Sequence, residues 1–470
     1  MNAPADLFRW PLAAIARALR DGSLTARAML SHFQDRIERL NPVVNAFAWL
    51  DPAAHRAADV SDEHLRAGRP RSELEGIPVA VKDNLLVAGQ PATWGSPLYQ
   101  HYRPTHDELP VARLRAAGAI LIGKTNVPEF TLQGYTCNPL FGASRNPWNP
   151  ALTPGGSSGG AAAAVAAGLV PLALCTDGGG SIRRPAALTH LLGFKPSTGR
   201  LARHGGFPAL LLDCEVVGPI ARSTEGARRL FECLAGPSPL DPSSFALPPA
   251  PAAHGVRRRI HYVDHLPPHP VDRGIQAACL QGMRRLEALG HTVTHGPLPF
   301  DVSEVDAAWS QLGGIGLALL ARRDPEFAHQ ASPAFVDLAR AGAALSAADL
   351  LACLETLQAF RRTVRAAFAG VDIIATPCSA APPWPATEIY PGTIDGASAA
   401  PRSHAAFTGW VNACGHPAIS LPVADDPAAG LAGLQLIGDF GADRALLDLA
   451  QRYETAHPWT QHWPALATAP

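Results

Sequence analysis

Gly155–Pro185 reads GGSSGGAAAAVAAGLVPLALCTDGGGSIRRP, and the rest of the chain is organised around it. Two Gly-Ser clusters, Gly155–Gly160 and Gly178–Ser181, bracket an apolar segment. Glycine runs let the backbone approach a ligand closely and turn successive N–H groups inward. A serine inside each run sets a hydroxyl beside those N–H groups, which suggests a serine nucleophile with a backbone oxyanion hole. Gly/Ser tracts are more often flexible linkers. A linker, however, is not followed directly by a strong helix former such as Ala161–Gly168. Nor would it recur after an apolar, strand-like run, Leu169–Cys175, just before Ser-Ile-Arg-Arg-Pro. The first cluster therefore opens a helix, where free N–H groups and the dipole favour developing negative charge.

With 470 residues the chain can hold one large α/β domain or two to three average ones. Its 39 Lys and Arg nearly cancel 40 Asp and Glu, so no global basic signature of nucleic-acid binding is present. The eight cysteines are scattered without a CxxC pair, which argues against a zinc cluster or a disulfide framework. The N-terminus lacks the apolar core of a secretory signal. The longest apolar run, Ala161–Cys175, is broken by Gly168 and Pro171 and is too short to span a bilayer. A cytoplasmic protein without nucleic-acid or membrane partners is expected.

Residues 7–20 and 25–40 carry helical periodicity, with Asn41-Pro42 closing the second helix, and a third spans 52–67. They read as a packing layer. Ile77–Val81 is a short apolar strand that places Lys82, Asp83 and Asn84 at its end, where loops of α/β sheets carry sites. Further strands are expected at 118–124, 191–199, 216–222, 257–263, 371–376, 418–423 and 433–437, and helices at 111–117, 272–289 and 445–454. Strands and helices alternate throughout, which implies a mixed sheet with helices on both faces. The proline-rich stretch 236–255 is the clearest composition break and reads as a linker between lobes.

Gly118–Thr125, GAILIGKT, matches the phosphate-loop pattern G-x-x-x-x-G-K-[ST]. The match is physically wrong. A phosphate loop needs a flexible interior after its strand, whereas Ala-Ile-Leu-Ile is the strand itself. Pro128 then biases Val127 away from helical geometry, so no helix begins at Lys124-Thr125. Nucleotide binding is therefore disfavoured.

Taken together, GIPVAVKDN (76–84), GAILIGKTNVPEF (118–130), PGGSSGG (154–160), TDGGGSIRRPA (176–186), GFKPSTGR (193–200), VGPIARS (217–223) and the C-terminal NACGHPAISLPV and GLQLIGD resemble the amidase signature family. The resemblance covers nearly the whole chain. It implies a single large α/β domain over 1–470, with a mixed sheet of about eleven strands flanked on both faces by helices. Within it, 1–70 would be a helical layer, 71–235 the catalytic core, 236–400 the variable pocket region and 401–470 a C-terminal core segment. It implies a Ser–cis-Ser–Lys triad: Lys82 as the lysine, Ser157 as the bridging serine after a cis peptide bond, and Ser181 as the nucleophile. No metal or organic cofactor is implied.

The residue chemistry agrees. A serine hydroxyl is a weak nucleophile until a base takes its proton. The loops carrying the two serines contain no histidine, so Lys82 is the candidate base, acting through Ser157. Bringing a lysine from roughly 10.4 to roughly 7 costs its charged form about 4–5 kcal/mol, which burial can supply. The N–H groups of Gly178, Gly179, Gly180 and Ser181 would hold the oxyanion, and Ser158, Asp177 and Arg183 would support the loop. Arg184 would either fork onto a substrate carboxylate or carbonyl or sit in a structural ion pair.

Pocket walls are expected from 94–99, 133–141, 205–212 and 300–400, with Trp94, Tyr135, Phe141, Leu210–Leu212 and Trp309 suggesting an aromatic-tolerant pocket. The expected activity is hydrolysis of an amide-type C–N bond in a small apolar or aryl amide or a carbamate, by a monomer or homodimer. The alternative is the A-type subunit of a tRNA-dependent amidotransferase, which typically has Gln where Arg184 stands here.

Overall fold

The runs Pro78–Lys82 (β2), Ile120–Thr125 (β3) and Leu172–Asp177 (β4) lie side by side as parallel strands, with β2 in the middle. Every residue in them is buried, the pattern of strands covered on both faces. The structure, a computed structural model, describes residues 3–246 and 256–468. The other strands of the same sheet are β1 (Phe47–Leu50), β5 (Leu192–Lys195), β6 (Val216–Ala221), β7 (Arg259–Tyr262), β8 (Thr292–His295), β9 (Ile373–Pro377), β10 (Ala418–Pro422) and β11 (Gly433–Gly438). All eleven form one mixed sheet in the order β1-β3-β2-β4-β6-β5-β10-β11-β9-β7-β8. The chain is thus a single α/β domain. The described part of 236–255 does not join two lobes, because β6 before it and β7 after it belong to the same sheet. Residues 247–255 of that stretch lie outside the described residues.

The helix Gly159–Ala166 is built only of Gly, Ala and one Val, and is buried along its whole length. Small side chains on every side let it lie directly against the sheet. Gly160 shows why: a Cβ there would come within 2.5–2.7 Å of backbone atoms of Asn126 and Ala46. The helix Ala26–Val44 runs through Pro42 instead of ending at it. Pro42 falls in the last turn, and Asn41 closes the end by accepting from the N–H groups of Ala46 and Phe47, each at 2.8 Å. The expected strand at 169–175 starts later, after Pro171, and continues through Thr176 and Asp177. That shift delivers Asp177 to the second Gly-Ser loop.

One apolar core joins the helix Gly159–Ala166, which covers β2, β3 and β4, to the helix Asp443–Ala456, which covers β10 and β11, and takes in the helix Ala26–Val44. A second joins the helices Ser303–Arg323, Ala347–Ala367 and Gly409–Cys414 to β9 and β11. A third, smaller group holds Trp94, Phe130, Leu210, Leu317, Phe327 and Phe335. Phe130 meets Phe335 edge-on at 5.3 Å, a favoured aromatic geometry. Among the described residues, no single helix is long and apolar enough to cross a membrane.

Candidate active site

β2 and β4 are paired in parallel, so their C-terminal ends meet at one edge and bring Lys82 beside Thr176. Lys82 Nζ donates to Thr176 Oγ1 at 2.9 Å, to Thr176 O at 3.1 Å and to Ser157 Oγ at 2.8 Å. Asn84 Nδ2 donates to Thr176 Oγ1 at 3.0 Å. The Gly156–Ser157 peptide bond is cis. Burial, the largest influence, lowers the Lys82 ammonium to about 8, while the neighbouring Glu215 carboxylate opposes the shift. A substantial fraction is therefore neutral near pH 8 and able to accept a proton.

Ser158 sits at the start of the Gly159–Ala166 helix and ties the two Gly-Ser loops together. Its N–H donates to Ser181 O at 3.2 Å and its Oγ to Thr176 O at 3.3 Å. Lys82 and Ser157 are hydrogen-bonded, whereas Ser157 and Ser181 are not bonded to each other in this resting arrangement.

Asp177 and Arg183 form a wholly buried ion pair at 2.9 Å. Burial alone would push the Asp177 carboxyl up; Arg183 and the backbone N–H of Ile182 outweigh it and hold the group well below the usual carboxylate range. Arg183 also donates to Gln435 Oε1 at 2.6 Å and to Asn412, and Asn412 Nδ2 returns to Asp177 O at 2.7 Å. The loop is thus anchored to β11 and to the Gly409–Cys414 helix. Sequence reading missed Asn412 and Gln435. A lone glutamine in an otherwise apolar buried strand, as in GLQLIG, was the available signal for Gln435.

The peptide unit between Gly179 and Gly180 is pinned at both ends. Gly180 N–H donates to Asp177 Oδ1 at 2.6 Å. Gly179 O accepts from Arg184 Nη1 and, at 2.8 Å, from Thr408 Oγ1. Gly180 has φ +108°, and a Cβ there would run into Arg184 and Thr408. Of the four N–H groups expected to form an oxyanion hole, that of Gly180 is committed to Asp177. Among the described residues, the N–H groups of Gly178, Gly179 and Ser181 have no acceptor. Arg184 does not sit in the structural ion pair that was one of its two expected roles. It has no carboxylate partner among the described residues; it bonds Gly179 O, Thr408 Oγ1 at 2.7 Å and Gly156 O at 3.4 Å.

Gly178, Gly179, Ser181 and Arg184 line a cavity of about 330 Å³, a size that suits a small organic molecule. Trp94, Leu210, Leu211 and Trp309 line it as expected. Tyr135 and Phe141 do not. Tyr135 packs away from it against Leu188 and Trp384. Phe141 lies in the turn between the short strands Cys137–Asn138 and Gly142–Ala143, where its carbonyl accepts from Asn45 Nδ2 at 2.6 Å. Leu212 is 43% exposed and faces solvent. Phe207 and Tyr390, inside the expected wall segments 205–212 and 300–400, also line the cavity; sequence reading gave no sign of Glu215, Arg402 or His404, which line it too. Phe207 stacks on Trp94 at 4.5 Å. Burial, reinforced by Arg184 and Arg402, pushes the His404 imidazole well below its usual value and leaves it neutral.

Lys124, the lysine of the phosphate-loop-like string, is wholly buried at the end of β3. Its Nζ donates to the carbonyls of Asp83, Leu85 and Pro91 at 3.2, 2.7 and 3.3 Å. No donor is left for a phosphate. Among the described residues, no group of three His, Cys, Asp or Glu side chains is placed to hold a metal ion.

The sheet, the two glycine loops and the buried lysine at its edge form the frame of the site. The amidase family model matches residues 28–447, and the chain belongs to that family, the amidase signature enzymes. It is 35% identical to AmiB2 of Mycobacterium tuberculosis, named as an amidase, over 99% of this chain and 100% of that one. It is 32% identical to the A-type subunit of the glutamyl-tRNA(Gln) amidotransferase of Synechococcus sp. (strain WH7803), over 96% and 98%. The solved structure of a bacterial aryl acylamidase superposes with a TM-score of 0.90 at 27% identity, covering 98% of this chain and 99% of that one. The chain is accordingly an amidohydrolase acting on amide C–N bonds.

Proposed function

We propose that the chain is a cofactor-free cytoplasmic hydrolase of small anilides or aryl carbamates, with Ser181 as nucleophile, Lys82 as base and Ser157 as the relay between them. Ser181 Oγ attacks the carbonyl carbon. Its proton passes to Ser157 as Ser157 gives its own to neutral Lys82. The N–H groups of Gly178, Gly179 and Ser181 receive the oxyanion, each such donor lowering the barrier by about 3–4 kcal/mol. Collapse expels the amine, which takes its proton back from Lys82 through Ser157. Water then attacks the acyl-enzyme, and the acid leaves. Ser158, Asp177 and Arg183 hold the loops.

The observation that carries this reading is the 2.8 Å hydrogen bond from the buried Lys82 amine to Ser157, beside the cavity that Ser181 lines. The aromatic walls, Trp94 stacked on Phe207 together with Trp309, support an aryl substrate. Arylamine release from a matched aryl acetamide and aryl carbamate, by wild type and Ser181→Ala, tests it. Activity is expected in the wild type and lost in the variant, and the better substrate separates amidase from urethanase. Undiminished activity in the variant ends the assignment.

The second reading, an amidotransferase A-type subunit, draws on the likeness to the Synechococcus protein. It requires co-purification with partner subunits and glutaminase activity, in place of arylamine release.

A further inference from the structure

Three arginines line the cavity, and two are spent. Arg203 is paired with Glu108 at 2.7 Å and Glu215 at 2.5 Å. Arg184 is bonded to Gly179 O, Thr408 and Gly156 O. Arg402 differs. Among the described residues its guanidinium makes neither a hydrogen bond nor an ion pair. Asp306, whose charge acts on it, forms no ion pair with it, and His404 in the same cavity is neutral.

Arg402 is nevertheless held in place. Its Cζ lies 4.3 Å from the centre of the Trp309 ring. A cation over an indole face is attracted to it, and the planar guanidinium keeps its edge donors free. Trp309 in turn packs on the nucleophile loop: a Cβ at Gly179 would meet its ring at 2.8 Å. Trp309 thus touches both Gly179 and Arg402, which places an unspent cation one indole away from the nucleophile loop. A guanidinium offers five N–H donors in a fork that matches a carboxylate.

We infer that Arg402, stacked on Trp309, is an anion subsite, and that the substrates this enzyme prefers carry a carboxylate on their acyl or amine part. The inference rests on the proposed hydrolase reading of the same cavity and narrows its substrate class. Arg203 would have to abandon its partners to take this role, and Arg184 is committed through Nη1 and Nη2 while its remaining Nε is buried. The carboxylate would lie along the outer face of Trp309 while the amide reaches Ser181.

The test compares charged substrates with neutral isosteres. One pair is glutaric acid mono-4-nitroanilide and its methyl ester; the other is 4-acetamidobenzoate and its methyl ester. In the wild type, kcat/KM for the acid is expected to exceed that for the ester in at least one pair, by about tenfold, through KM. Arg402→Gln should bring that ratio close to one, and Arg402→Lys should restore part of it. A wild-type preference for both esters, or a ratio unchanged in Arg402→Gln, overturns the inference. Binding of the same four compounds to Ser181→Ala protein by calorimetry reads the subsite without turnover. If no compound is hydrolysed but the acids still bind more tightly in an Arg402-dependent way, the hydrolase reading fails while the anion subsite stands.

Discussion

Lys82 and Lys124 stand on neighbouring parallel strands, one register step apart, and both are wholly buried. Their partners differ. Lys124 meets three backbone carbonyls, with the Asp83 carboxylate 3.6 Å away. Carbonyl and carboxylate oxygens only accept, so this site suits a protonated ammonium. Lys82 meets two hydroxyls and one carbonyl. A hydroxyl can donate as well as accept, so this site also accommodates the neutral amine. Burial is the largest influence on both and lowers both. The difference teaches that burial makes a lysine easier to deprotonate, but a partner able to donate makes its neutral form useful.

The comparison can be broken most directly at Lys82. Lys82→Met should lower kcat/KM on an anilide by about 10³-fold or more, the scale of a lost general base. Lys82→Arg should be as inactive, because a guanidinium does not surrender its proton. An active arginine variant would remove the distinction between the two lysines. Lys124→Met should act on folding. It strands three carbonyls and the Asp83 carboxylate in the interior, with a loss of about 3–5 kcal/mol in urea unfolding, while kcat of the folded fraction changes by a few-fold at most. Arg184→Gln should come next, lowering kcat by about tenfold with little change in KM, since it loosens the peptide that aligns the oxyanion donors.

The smallest effect sharpens the comparison through pH. Activity should climb as Lys82 loses its proton and level off above about 8. Glu215→Gln removes a carboxylate that raises the Lys82 value, so the plateau should be reached at lower pH, by less than about one unit. The same group enters stability. Its folded value, about 8, lies below the ordinary lysine value of 10.5. Stability is therefore withheld below the first and regained as pH rises toward the second. Urea midpoints between those limits should rise less steeply in Lys82→Met than in the wild type.

The two loops that carry the serines were legible because their chemistry is written in adjacent residues. Glycines, a serine and an acid within a few positions constrain backbone and hydroxyls together, and the β-branched strand before Lys82 marks where it ends. The rejected phosphate-loop string was legible for the same reason, since Ala-Ile-Leu-Ile cannot be a strand and a loop at once. The cavity walls were not. Trp94 and Trp309 reached the cavity while Tyr135 and Phe141 did not, and nothing local distinguishes the four. Arg402 lies more than two hundred residues from Ser181 in sequence, in an ordinary Pro-Arg-Ser turn. Its place depends on Trp309 packing against Gly179, a contact between distant segments that no periodicity records. Pro42 misled in the opposite sense. Its helix-ending tendency is real, but Asn41 supplies acceptors that carry the turn past it.

Lys82 and Thr176 are separated by 94 residues, yet the bond between them exists only while β2 and β4 are paired in one register. A slip of one residue would turn alternate side chains to the opposite face and carry Thr176 away from the amine. Turnover by this chain is therefore also an assay of refolding. Its recovery after dilution from denaturant times the closure of the central sheet, not the earlier appearance of helices or collapse.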